Sequence, residues 1–338
     1  MIAVFFLAFI LVAGVVRHVI ALAGLGYSDH AVSGPREAAR LRADVIFLGA
    51  SQIGQGIDPE AFDDEFARYG KVRSFNLGIG GSSVPEQDPV LRKLFDAGAC
   101  CVRYAIVHPP FMITEVAKGN TIRAIEHFNL SNALRYWSFL NQYEPAPPIP
   151  AFPLSGYAWA ITLSTLQHYS NMGVGVRRPG TFDPGKHSGR GFAPSSRTMV
   201  DKKEIDIWRE MLADMATNRV HFREELVSDA MFTKVIEIMQ TIERHGARAI
   251  FVRPPGPWHW RIDEAFIRKF REVCPEGPPL LDFGDPVEYP DLYELANLYD
   301  AAHLNSSGAA IWGRLLAHKI GHLAEAGRLV TSAQCRPR

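Results

Sequence analysis

The sequence predicts an α/β protein with a central parallel sheet of about five strands, an N-terminal hydrophobic helix and a largely helical and loop insertion. Three observations predict it. Short apolar runs of strand length recur along the chain, helical patterns lie between them, and the alternation stops between about 112 and 222 before resuming. With 47% apolar residues in 338, the chain can bury a large core.

The first 26 residues, Met1 to Gly26, are apolar or small except for Arg17 and His18. The initial run of sixteen would span roughly 24 Å as helix, short of the roughly 30 Å hydrocarbon core, but a helix continuing through Arg17 is long enough. A membrane anchor is the preferred expectation. A cleaved signal peptide ending near Ala21-Leu22-Ala23 and an ordinary buried helix are the alternatives. Charge does not fix orientation, because Arg36, Arg40 and Arg42 all follow the segment.

A polar stretch at 27–42 leads to Asp44–Gly49, an apolar run closed by glycine and read as the first strand. Further strands are expected at 72–79, 104–108, 247–252 and 280–283. Helices are expected at 59–69, 86–97, 223–245 and 262–273. A last helix at 306–325 has Asn305 or Ser306 as N-cap. Three units result: the segment 1–26, an α/β domain over 27–111 and 223–330, and the insertion 112–222, a candidate lid or docking surface. Within the insertion, Trp137, Tyr143, Trp159 and Tyr169 mark helical patterns, and Gly173 to Ser196 reads as loop.

Lys plus Arg equals Asp plus Glu at 36 each, which argues against a nucleic-acid partner. Cys100, Cys101, Cys274 and Cys335 show no metal-ligand spacing, so no metal is implied. Cys100 and Cys101 are expected as buried free thiols, with a disulfide the alternative. Gly78-Ile79-Gly80-Gly81 lacks the spacing of a dinucleotide fingerprint, and no cofactor is implied.

In parallel sheets the chemistry gathers at the carboxyl ends of the strands. Ser51 follows the first strand and precedes a helix, a position open to a nucleophile and equally to a helix cap. At the far end, Asp300 lies three residues before His303, just ahead of the last helix. A serine hydroxyl needs a base, and the base needs a carboxylate to hold its tautomer. Either residue alone would read as a turn or packing residue. Together they supply what Ser51 lacks.

In their order and motifs these residues resemble the SGNH hydrolases, or GDSL-type esterases. Leu48-Gly49-Ala50-Ser51-Gln52 looks like the first block of that family, with Ser51 as nucleophile. Asn76-Leu77-Gly78-Ile79-Gly80-Gly81-Ser82 looks like the second, whose glycine lends an N–H to the oxyanion hole; by register that is Gly81, with Gly80 the alternative. Asp300-Ala301-Ala302-His303 looks like the last block. The resemblance covers about 42–111 and 246–325 and implies a three-layer, flavodoxin-like fold, with the Ser51 and Gly81 N–H groups as oxyanion donors.

Two departures stand out. Ala50 replaces the aspartate that often precedes the nucleophile. The third block, whose asparagine donates to the oxyanion, is missing, because the third strand ends in His108-Pro109-Pro110-Phe111. His108, Gln52 and Asn76 are candidate substitutes. With the N-terminal segment, this is similar to the membrane-anchored branch of the family that works on cell-envelope polymers, including proteins like alginate O-acetylation factors and the D-alanyl transfer protein of teichoic acids. The resemblance implies an extracytoplasmic esterase or O-acyltransferase. Its partners would be an acylated polysaccharide or related glycan and a membrane-bound acyltransferase. An inactive scaffold or glycan-binding partner of such an acyltransferase is the alternative. Arg253 after the fourth strand is a candidate grip for a substrate carboxylate or phosphate, or an ion-pair partner of Asp282 or Asp285. Trp258 and Trp260 offer stacking faces or plain packing.

Overall fold

The computed structural model describes residues 30–109, 122–142, 154–170, 188–218, 227–257, 260–275 and 277–329, with isolated positions before residue 16. The segment 1–26 therefore lies almost wholly outside the described residues, as do Tyr143, Trp258, Cys335 and 173–187 of the expected loop. Among the described residues no helix is long and apolar enough to cross a membrane.

Five strands form one parallel sheet: β1 (Val45–Leu48), β2 (Ser74–Asn76), β3 (Tyr104–Val107), β4 (Arg248–Arg253) and β5 (Leu280–Asp282). Their order is β2-β1-β3-β4-β5, the flavodoxin-like order. The chain goes from β1 to β2 on one side and then crosses to β3 on the other. The strand order therefore reverses between β1 and β3, and a crevice opens at their carboxyl ends.

Both faces of the sheet are covered, which is why β1 and β3 read as unbroken apolar runs. On one face Leu48, Val107 and Phe251 join the core against α4 (Val84–Asp96), α9 (Asp229–Arg244) and α10 (Trp260–Val273). On the other, Phe47, Ile106 and Val252 meet α3 (Pro59–Phe66) and α11 (Ser306–Glu325), where Trp312 is fully buried. The remaining helices are α1 (His30–Leu41), α2 (Ser51–Gly56), α5 (Ile122–His127), α6 (Leu130–Leu140), α7 (Leu154–Ser170) and α8 (Lys202–Asn218). Phe128 and Tyr136 carry α5 and α6 onto the core of the α4 face.

Several expectations need correction. The stretch 27–42, read as polar, holds α1, which buries Ala38 and sets His30 Nε2 2.8 Å from the Asn76 carbonyl. Strand β2 stops at Asn76, although the N–H groups of Leu77 and Ile79 still donate to the carbonyls of Phe47 and Gly49. Helix α4 starts two residues early, because Glu86 accepts the Ser83 N–H and Pro85 fits the first turn. Asn305 is the N-cap of α11, accepting from the N–H groups of Ser307 and Gly308. Cys100 and Cys101 are free thiols as expected but not buried: they precede β3 on a surface loop, outside its apolar run.

Candidate active site

Ser51 is the first residue of α2, directly after the β1 end. It is not the helix cap. Ala50 holds that position, and its carbonyl accepts from the N–H groups of Ile53 and Gly54. The Ser51 hydroxyl is thus left for other partners.

Asp300 and His303 reach Ser51 through a structure that the sequence pattern did not reveal. Strands β6 (Leu298–Asp300) and β7 (His303–Leu304) form a tight antiparallel hairpin that sets Asp300 directly across from His303. Only Ala301 and Ala302 turn the corner, and the Ala302 N–H donates to Asp300 Oδ1 at 2.7 Å. His303 Nδ1 stands 2.8 and 2.9 Å from the two carboxylate oxygens of Asp300. His303 Nε2 stands 2.7 Å from Ser51 Oγ, across 252 positions of sequence. With Nδ1–H donating to the carboxylate, Nε2 is the lone-pair nitrogen that accepts from the hydroxyl.

Burial works to raise the pKa of Asp300. The hydrogen bond and charge of His303, with the N–H groups of Ala302 and His303, outweigh it and hold the carboxyl below its ordinary value. Asp300 and His303 keep side-chain exposures of 29% and 19%, so the site is walled yet open to a ligand.

The second block lies against the turn that carries Ser51. Ile79 N–H and Ser82 Oγ–H both donate to the Gly49 carbonyl, and a Cβ on Gly80 would stand 3.9 Å from that of Ser51. Gly81 follows with φ +63°, in the left-handed region that favours glycine.

The other candidates fall differently. Asn76 is fully buried, and both amide protons are used, on the carbonyls of Ile53 at 2.8 Å and Ile57 at 2.9 Å. Its oxygen accepts from the Gly78 N–H. It is a brace for α2, which corrects its candidacy as an oxyanion donor. His108 is buried after β3 with Nε2 3.4 Å from Asp263 Oδ1. Arg253 is also buried, and its guanidinium faces Glu264 at 3.1 Å and Asp282 at 3.4 Å. Burial opposes its charge, but Asp282, Asp263 and Glu264 prevail and raise its pKa. The geometry makes it an internal ion-pair partner rather than a grip for substrate. Gln52, next to Ser51 on α2, is buried.

One contributor was not foreseen. The segment 188–200, a turn followed by irregular chain inside the insertion, stitches the three blocks together. The Arg190 carbonyl accepts from the Asn76 N–H, the Ala193 N–H donates to the Gly54 carbonyl, and the Ser195 carbonyl accepts both the N–H and the hydroxyl of Ser306. Met199 N–H donates to the Leu298 carbonyl, and the Arg190 guanidinium pairs with Asp63. Arg197 lies over the ring of Tyr299, next to Asp300, at 5.6 Å.

No protein-family model matches this chain, and no curated protein matches it.

Proposed function

We propose that the chain is a serine-dependent acyl-transfer enzyme of the SGNH type, acting on an ester as an esterase or an O-acyltransferase. One observation carries this reading: the 2.7 Å approach of His303 Nε2 to Ser51 Oγ, with Asp300 behind the ring at 2.8 Å. A packing histidine has no reason to be held by a carboxylate on one nitrogen and offered to a strand-end serine on the other.

In the reaction His303 Nε2 takes the Ser51 proton as Oγ attacks the ester carbonyl. The oxyanion is met by backbone N–H groups of Ser51 and of the Gly80-Gly81 turn. The imidazolium returns its proton to the leaving alkoxide, and an acyl-enzyme remains. Water or a sugar hydroxyl, deprotonated by the same nitrogen, attacks it and frees Ser51. Asp300 fixes the tautomer and faces the positive charge of the imidazolium.

A cell-envelope glycan as acyl acceptor or acyl carrier rests on the resemblance of the three blocks and on the hydrophobic run at 1–26. Cys274 is disulfide-bonded, which fits a compartment outside the reducing cytoplasm. The missing third block favours the scaffold reading, in which the fold serves a membrane acyltransferase without reacting.

Treating the protein with a fluorophosphonate probe and a chromogenic acetyl ester tests the proposal. Labelling at Ser51, lost in Ser51→Ala together with ester cleavage, is expected. Absence of labelling alongside unchanged behaviour of Ser51→Ala in cells would establish the scaffold instead.

A further inference from the structure

A second built feature lies at the opposite edge of the sheet from Ser51. Helix α4 begins beside the nucleophile turn and runs back, and its carboxyl-terminal half meets the ends of α6 and α9 around a cavity of about 520 Å³. Arg244 and His245 of its wall lie just before β4, at the amino edge of the sheet, so the cavity is separate from the crevice at the carboxyl ends. Its third wall, α6, belongs to the insertion.

The lining is cationic. Arg92 and Lys93 come from α4, Arg135 from α6 and Arg244 from α9. Arg92 and Arg135 share one buried carboxylate, Asp88, at 3.0 and 3.7 Å, so that a single negative charge answers two guanidinium groups. Arg244 bonds neutral acceptors, the Thr241 hydroxyl at 2.9 Å and the Gln240 carbonyl at 3.3 Å. Asp96 is the carboxylate at the wall itself, while Asp88 is buried behind it. Four cations against two carboxylates give the cleft a positive field. Beside them His245 is stacked flat on Phe95, with ring centroids 3.8 Å apart and planes within 2°, which makes a rigid aromatic lip.

We propose that this cleft is a second, non-catalytic binding site for an anionic sugar. The phosphate or carboxylate of the ligand would sit on the guanidinium groups of Arg135 and Arg244, and its ring would lie against the Phe95–His245 lip. The volume lies within the roughly 300–1,000 Å³ range of small-molecule sites. A phosphorylated sugar and a uronate present the same chemistry, and both are probes here. The proposal does not rest on the chemistry of Ser51.

The test is a calorimetric titration of the full chain with glucose 6-phosphate, glucuronate, glucose and inorganic phosphate. At least one anionic sugar should bind and weaken as salt is added, while glucose does not. The pair Arg135→Gln and Arg244→Gln should reduce that affinity by about tenfold or more. Unchanged thermal unfolding of the double variant shows that its fold is intact, and Ser51→Ala should bind as wild type does. Two results would overturn the site: neither anionic sugar binding, or the double variant binding equally well. Inorganic phosphate binding as tightly as glucose 6-phosphate would overturn the sugar.

Discussion

Gly78 and Gly54 meet backbone to backbone, and a Cβ on Gly78 would fall 2.3 Å from the Gly54 nitrogen. This contact lets the second block lie directly against α2, the helix that Ser51 opens. A methyl group here must push backbone, since there is no flexible side chain to yield. Gly78→Ala should cost about 1–3 kcal/mol of stability. It should also slow fluorophosphonate labelling of Ser51 in the fraction that remains folded. Wild-type unfolding and labelling in Gly78→Ala would show that the two segments separate without cost.

Asn76 braces the same helix from beneath. Its amide satisfies the buried carbonyls of Ile53 in α2 and of Ile57 at its C-cap together with the Gly78 N–H, so Asn76→Ala strands several buried polar groups. Denaturant titration should show a loss of about 2–4 kcal/mol. Because its protons are already used, kcat of the folded fraction should fall far less than the loss of an oxyanion donor produces. A drop of about a hundredfold with stability retained would return Asn76 to the oxyanion hole.

How much of this was legible in the sequence depends on which interactions carry each part. Strands β1 and β3 are buried on both faces, so Val45–Leu48 and Tyr104–Val107 announce themselves as apolar runs closed by turn residues. The pairing of Asp300 with His303 was legible because the two are local to each other in sequence. The hairpin that sets them face to face was not, since β7 has two residues and no period can be read from two. The 188–200 segment was equally hidden. Its Ala193 and Met199 N–H groups donate to the Gly54 and Leu298 carbonyls and its Ser195 carbonyl accepts from Ser306, and such scattered single backbone bonds impose no alternation on side chains. The role of Asn76 depends on α2 lying above it, a tertiary fact. Arg253 was open to two readings, and the ion pair with Asp282 is the one found; Glu264 was not foreseen because it approaches from a helix packed across the strand end.

Asp300→Asn keeps the shape of the side chain and removes the charge that selects the tautomer of His303. The expected loss in kcat on a chromogenic ester is about 10⁴-fold, with the fold kept but less stable than wild type at neutral pH. The sign with pH follows from the lowered carboxyl pKa. Stabilisation from the ionised Asp300 is fully present above the ordinary value of 3.8 and is lost as pH falls through the lower folded value. The stability gap between wild type and Asp300→Asn should therefore narrow below about pH 4. A gap that stays constant through that window would mean that His303 and the hairpin amides do not hold the charge.

The remaining oxyanion donor separates Gln52 from His108. Asn76 has no proton to give, and His108 Nε2 is engaged with Asp263 while Nδ1 is buried without a partner among the described residues. Gln52 follows Ser51 on α2, and among the described residues no hydrogen bond commits its amide, so it is the side-chain candidate that remains. Gln52→Ala should lower kcat by about 10²–10³ with little change in unfolding. His108→Asn, by contrast, should move thermal stability through the lost contact with Asp263 and leave kcat within about threefold. The reverse pattern would give the donor to His108. Wild-type kcat in both variants would mean that the Ser51 and Gly80-Gly81 amides carry the oxyanion without a side chain, and the site would then run without the third block of the family it resembles.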